Sequence, residues 1–504
     1  MRGPLKQLAS DTAVYGFSSI VARFFNYLLV PFYTHVFPPG EYGAVAKAYA
    51  AFVFLNVIYT YGMESAYLKH AAGKERPRLQ TVFSTALWTL IGTSLVFSLL
   101  ALQWIQPAAG LMGLEEDAHL LYYMAGILVC DTLLAVPMAQ LRLQRKSWTF
   151  AGIRLAGVTI NLGFNLWLIL GSGWGVEAVL LGNLAGSAAS LVLAWLPVAD
   201  LFRATYDPAL VRSMLAFGLP YVPTGLGYAI TEAIDRFFLD RMDPAVTEAL
   251  YGADTQPGDV VGIYNACFKL GVFMLLYVQM FRFAWQPFFL NLQDDPEAPG
   301  IFSRAFTLFT AIGALVFLGV SFFARALVAI PVPGGEETRT LIEPSYWDGL
   351  FIVPLVLLAY LAQGWYTHFT AGIFIKSRTI HLPWITLAGA AVTLSINASL
   401  TPRYGMAASA TATVLSHLAM AILVGAVAYY HFPIPYQWKR LTMITLVTGL
   451  AFAAHAALPE TIMAYAGRAA LLIVVSLIFV ARGAIPLPSR YTNNHPNANP
   501  PGVS

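Results

Sequence analysis

Apolar runs long enough to cross a bilayer follow one another along almost the whole chain, and that repetition leaves few folds open. A helix needs about 20 apolar residues to span the hydrocarbon core. Segments of that length lie at 11–37, 41–68, 79–105, 118–142, 147–171 and 175–200. Six more lie at 210–239, 259–291, 302–331, 346–375, 380–401 and 404–431, and two, 437–458 and 461–482, close the series. The pattern predicts an all-α polytopic membrane protein with about fourteen transmembrane helices. Composition agrees: 58% of residues are hydrophobic and 11% charged, against roughly 25% charged in soluble domains.

Basic residues set the expected orientation. The segment before the first span and those after every even-numbered one carry, among others, Arg2, Lys6, Lys69, Lys74, Arg78, Arg142, Lys146, Arg203, Arg212, Lys376 and Lys439. The opposite loops hold only Arg241, Arg339, Arg403 and Arg468. The positive-inside rule then places both termini in the cytoplasm. Met1–Ser10 is basic, but the span that follows is too long for a secretory signal and lacks a small-residue cleavage site, so it reads as an uncleaved anchor. Cys130 and Cys267 sit inside apolar runs and offer neither a disulfide framework nor a metal-ligand pattern.

The stretch 215–239 departs most from a plain span. Pro220, Pro223, Gly225 and Gly227 fall close together, so a bend is expected there. Tyr221, Thr224, Tyr228, Thr231 and Asp235 recur at three- and four-residue steps and draw a polar stripe on one face. Glu232, Asp235 and Arg236 are charges at membrane depth, which cost several kcal/mol unless they face a bundle interior or wet cavity. Glu232 and Arg236 also read as a self-contained pair at i,i+4.

The chain repeats itself. VYGFSSIVARFF…EYGAVAKAY echoes LAFGLPYVPTGLGYAITEAIDRFFL…GDVVGIYNACFKLG, aligning Gly16 with Gly218 and Gly43 with Gly262. Further on, Asn165 aligns with Asn397 and Gly175 with Gly405. Six spans per half is an even number, so the halves enter from the same side and form a parallel repeat. The expected organisation is a lobe at 1–203, a second at 204–431, two additional helices at 432–483 and a disordered cytoplasmic tail at 484–504.

These residues resemble the polysaccharide-transport (Wzx-like flippase) branch of the multidrug/oligosaccharidyl-lipid/polysaccharide exporter superfamily. The pieces that carry the resemblance are EYG at 41–43, FGLPYVP at 217–223, IDRFFL at 234–239, VGIY at 261–264, AWQPF at 284–288 and LPW at 382–384. Asn397, Tyr404, Gly405 and Ala408 extend it. The resemblance implies two six-helix lobes around a central cavity with two C-terminal helices. It also implies movement of an undecaprenyl-diphosphate-linked oligosaccharide, an O-antigen or other surface polysaccharide unit, from the cytoplasmic to the outer leaflet of a bacterial inner membrane.

Such a head group is anionic, and the spans hold a surplus of cations. Arg23, Lys47, Arg154, Lys269 and Arg282 are the candidate substrate contacts. Arg23 sits mid-span, where an ion pair with Asp131 is an equal reading. Lys47 and Lys269 follow the aligned Gly43 and Gly262 at offsets that put them on equivalent faces of the two lobes; snorkelling to the outer interface is the alternative. Arg154 and Arg282 lie nearer the cytoplasmic side, where snorkelling is again the alternative. Asp131, Glu232 and Asp235, with Arg236, are candidates for coupling to H+ or Na+; Arg236 opposes that role at Asp235, where a purely structural salt bridge is at least an equal reading. Asn161, Asn165 and Asn397 read as bonds across helices, with sugar binding a second reading. Pro31, Pro220, Pro223, Gly225 and Gly227 are the candidate hinges for alternating access.

Two rivals remain within the superfamily, a lipid II flippase and a drug or ion-coupled exporter; the latter calls for a dominant acidic site. A membrane-embedded glycan polymerase or ligase would need a large outer loop, and the outer connections are short, so no enzyme activity is expected. No cofactor or metal is expected beyond the coupling ion. Expected partners are the lipid-linked oligosaccharide, membrane lipids, and polymerases or glycosyltransferases of the same pathway, with no nucleic acid.

Overall fold

The computed structural model describes residues 16, 20–21, 24–25, 27–115, 117–332, 339–459 and 461–485. Seventeen α-helices are formed among the described residues. They are accompanied by short 3-10 and π turns and by one two-stranded antiparallel pair, Pro331–Val332 with Arg339–Thr340.

The first half continues from a helical run at 27–36, which contains Pro31. Its helices are α1 (Pro39–Thr60), α2 (Met63–Ala71), α3 (Arg76–Gln103), α4 (Ile105–Met112), α5 (Leu120–Leu143), α6 (Ser147–Leu166) and α7 (Glu177–Trp195). The second half holds α8 (Pro208–Gly218), α9 (Tyr221–Asp240), α10 (Pro244–Tyr251), α11 (Pro257–Lys269), α12 (Val272–Asn291), α13 (Ala298–Val328), α14 (Val353–Ile375) and α15 (Leu382–His431). Then come α16 (Trp438–Ala456) and α17 (Ile462–Ala481). Packing divides the chain into a larger unit within Met1–Asp295 and Ala324–Pro433, and a smaller one within Pro296–Phe323 and Ile434–Ser504. The smaller unit has its own apolar core, in which Leu318 and Phe322 of α13 meet Ile444 of α16 and Val475 and Phe479 of α17.

Nine helices, or ten spans if α11 and α12 are taken as one bent pair, are long and apolar enough to cross a membrane among the described residues. That differs from the fourteen expected, for physical reasons. The run Thr379–His431 counts once although Gly405 leaves helical geometry inside it, at φ 54° and ψ −131°. Helix α9 carries Glu232, Asp235, Arg236 and Asp240, too many charges for an apolar span. Much of the first span lies outside the described residues.

Breaks in the helices have local causes. Between α1 and α2, Tyr61 and Gly62 adopt left-handed φ of 30° and 74°. A Cβ on Gly62 would overlap the Gly218 carbonyl oxygen, so glycine is required both for the conformation and for the approach. In the second half, α11 and α12 bend by 48° across Leu270–Gly271. Around 215–239 the break is confined to Leu219–Pro220. Pro223 falls in the first turn of α9, where no intrahelical N–H is needed, and Gly225 and Gly227 continue as regular helix. At Gly405 the interrupted helix is held from outside: the Met406 N–H donates to Tyr251 Oη at 2.8 Å, tying α10 to α15.

Candidate functional site

Within the larger unit, three chambers lie in sequence. The first, about 690 Å³, is walled by the α1–α2 break (Val57, Thr60, Gly62), by Tyr221, Thr224 and Tyr228 of α9, by Gln279, Arg282 and Gln286 of α12, and by Gln363, Tyr366, Thr367 and Thr370 of α14. Arg282 is the one charged residue among its described walls. The second, about 400 Å³, lies among helices of the first half and gathers Glu64, Asp131, Arg142 and Arg154 with Asn56, Asn161, Asn183, Ser187 and Ser190. The third, about 280 Å³, is lined by Tyr27, Tyr33, Tyr42, Tyr49, Asn161, Asn183, Asn265 and Lys269. Thr60 lines the first and second chambers, and Asn161 and Asn183 line the second and third.

The polar walls follow from helical periodicity. Gln279, Arg282 and Gln286 step by three and four along α12, as do Gln363, Tyr366, Thr367 and Thr370 along α14. Tyr221, Thr224 and Tyr228 do the same on α9, but the rest of that stripe turns inward. The Thr231 hydroxyl donates to the Gly227 carbonyl, and Asp235 is 2% exposed.

Beyond the third chamber the two halves close on each other. Gly43 of α1 and Gly262 of α11 lie backbone to backbone: a Cβ on Gly43 would overlap the Gly258 carbonyl, and one on Gly262 the Pro39 carbonyl. Two lysines reinforce this seal in opposite directions. Lys47, 8% exposed, pairs with Asp240 Oδ1 at 2.7 Å and also donates to the Gly113 carbonyl. Lys269 donates to Tyr42 Oη at 2.8 Å and lies over the Tyr42 ring. Tyr346 Oη donates to the Phe37 carbonyl at 2.7 Å, closing a third strap.

The expected site residues separate accordingly. Arg282 is exposed and faces the first chamber, Arg154 and Asp131 share the second, and Lys269 lines the third. Lys47 lines none of the three and is engaged in the seal. Arg23 lies outside the described residues. Asp235 and Arg236 form a buried ion pair at 2.6 Å, with Tyr264 Oη donating to Asp235 Oδ2 and the guanidinium 4.5 Å from the Phe268 ring centre. Glu232 faces His417 Nε2 at 3.5 Å while His417 Nδ1 meets the Thr413 carbonyl. Asn165 donates to the Val179 carbonyl, and Asn397 sits in a buried cluster with Thr401 and Ser409. Among the hinge candidates, Gly225 and Gly227 face Val57 and Thr386 closely, and Pro31 presents its carbonyl to Thr34 and His35.

Several participants escaped the sequence reading. Gln279 and Gln286 flank Arg282 at helical steps, a stripe test that would have placed Arg282 on a chamber wall. Asp240, the partner of Lys47, and Tyr264, the partner of Asp235, gave no local signal. Among the described residues, no group of three or more His, Cys, Asp or Glu side chains could hold a metal ion.

Solved structures share this architecture. A lipid II flippase MurJ in an inward closed conformation superposes with a TM-score of 0.72 at 13% identity, covering 92% of this chain and 97% of that one. An inward-facing multidrug resistance MATE family transporter of the MOP superfamily gives 0.61 at 13% identity, covering 84% and 96%. A MATE structure in the straight conformation gives 0.59 at 14%, covering 88% and 97%. Comparison with curated protein sequences finds no match. The fold is therefore that of a multi-pass helical membrane protein, shared with these solved structures. Residues 8–293, more than half of the chain, match the family described as polysaccharide biosynthesis protein. The chain belongs to that family.

Proposed function

We propose that this protein is a flippase that carries an undecaprenyl-diphosphate-linked oligosaccharide, such as an O-antigen unit, from the cytoplasmic to the outer leaflet of a bacterial inner membrane by alternating access. The observation that carries the proposal is the succession of three chambers, which starts beside Arg282 and ends beneath the Gly43–Gly262 seal. With both termini in the cytoplasm, the first chamber lies towards the cytoplasmic side and the seal towards the outside. Amides, hydroxyls and tyrosines suit a hydroxylated head group, which needs paired donors and acceptors when it leaves water. Arg282 supplies a guanidinium that bonds phosphate oxygens through a planar fork. The polyprenyl tail stays in the bilayer, no bond is made or broken, and the seal opens once the inner side has closed.

The described walls of the first chamber bear no carboxylate, so a cationic drug is matched less well than a sugar diphosphate. In this reading Asp131, which lines the second chamber, and Glu232, which lies beside His417, exchange H+ or Na+ during the cycle. The MurJ likeness keeps lipid II as the second substrate reading.

The test is reconstituted flipping of a lipid-diphosphate oligosaccharide. Arg282→Ala should slow it by about 10-fold or more, the loss of one charge-assisted hydrogen bond to the diphosphate, and Arg282→Lys should recover part of the rate. An unchanged rate in Arg282→Ala would overturn the assignment of the first chamber as the diphosphate site.

A further inference from the structure

The third chamber has a chemistry of its own. Its described walls supply four tyrosines, three asparagines and one lysine, with no carboxylate. Tyr33 and Tyr42 are 5% and 0% exposed, so their rings are fixed in the packing. Asn183 Nδ2 donates to Tyr49 Oη at 3.2 Å, which orients that amide. Asn161 Oδ1 is buried and has no hydrogen-bond partner among the described residues. A buried amide oxygen without a partner costs free energy unless something else supplies a donor, and this one lies on the wall shared by the second and third chambers.

We infer that the third chamber is a subsite for a single neutral pyranose ring, the sugar of the head group farthest from the lipid. This rests on the flippase reading above and adds where along the path the glycan is recognised. Tyrosine faces offer flat apolar surfaces with polar tips, which match a sugar ring with its C–H face and its rim of hydroxyls. Asparagine presents a donor and an acceptor side by side, the pattern that adjacent hydroxyls require. At about 280 Å³ the chamber falls just below the ~300–1,000 Å³ typical of sites for drug-sized ligands. It therefore suits one ring and excludes a whole oligosaccharide. With the diphosphate beside Arg282 in the first chamber, a glycan extending through the second would deliver its distal ring here.

The position adds a consequence. Lys269 and Tyr42 line the chamber and also bond to each other across the two halves. A ring that engages either group competes with that bond, so a full-length glycan loosens the seal that a short one leaves intact. Transport then favours completed units over single-sugar precursors, and the preference resides in these walls.

The experiment compares two substrates in proteoliposomes: undecaprenyl diphosphate bearing one sugar, and the same lipid bearing an oligosaccharide of several neutral sugars. Wild type should move the oligosaccharide lipid faster. Asn161→Ala combined with Asn183→Ala should slow the oligosaccharide lipid by about 10-fold, the loss of two hydrogen-bonding amides, and slow the single-sugar lipid by a clearly smaller factor, so that the ratio of the two rates falls. Tyr49→Phe, which removes one hydroxyl and little volume, should shift the same ratio in the same direction and guards against misfolding of the double variant. An equal effect on both lipids, or none on either, overturns the subsite. Wild type that moves neither lipid overturns the flippase reading instead, so the two failures are distinguishable.

Discussion

The Lys47 ammonium ties together three parts of the fold, α1 that carries it, the Gly113 carbonyl after α4, and Asp240 at the end of α9. Both partners of the ion pair are largely buried, with side chains 10% and 14% exposed. Removing one partner of such a pair leaves an uncompensated buried charge and costs about 3–5 kcal/mol, whereas replacing both by apolar groups is close to neutral. Lys47→Met alone should therefore lower the unfolding midpoint in detergent clearly, and Lys47→Met with Asp240→Leu should restore most of it. Additive losses in the double variant would mean that the two side chains do not interact. Spacing from Gly43 and Gly262 singled out Lys47 and Lys269 in the sequence, because a helix repeats its faces every three to four residues. Their partners were not legible in this way: Asp240 lies 193 positions from Lys47 and Tyr42 227 positions from Lys269, and no local pattern encodes which distant side chain fills the other half of a contact.

Helices carry the information that a sequence displays best, and here apolar length alone marked out most of them. Their breaks were harder to read. Proline and glycine between 220 and 227 pointed to an extended kink, yet the chain breaks only at Leu219–Pro220 because Pro223 reaches the first turn of α9. There Gly225 serves contact, since a Cβ would lie 2.7 Å from Val57 Cγ1. The glycines that matter most lie between elements. Gly43 on α1 and Gly262 on α11, aligned by the internal repeat, are where the two halves meet without side chains. Gly262→Val must push α11 away from Pro39, an overpacking that costs roughly 1–3 kcal/mol and weakens the seal. In a background with Cys130 and Cys267 replaced, a cysteine at Tyr42 should react with a membrane-impermeant maleimide faster in Gly262→Val than with Gly262 intact. Equal labelling rates would show that the glycine contact does not hold that end shut.

At the scale of the molecule, the two halves touch backbone to backbone at Gly62–Gly218, beside the first chamber, and at Gly43–Gly262, beyond the third. A carrier that alternates access opens its two ends in turn, so holding the Gly43–Gly262 end shut must stop transport. Joining Tyr42→Cys to Lys269→Cys with a short, reducible bis-maleimide, in a background without the native cysteines, would bridge the halves at a contact that spans 2.8 Å in the native pair. The uncross-linked double variant sets the reference rate, since it already lacks both side chains. Cross-linking should abolish glycolipid movement, and reduction of the linker should return the rate to that reference. Continued movement at the reference rate with the halves joined would mean that the path does not pass between them, and a rocking cycle could not be the mechanism.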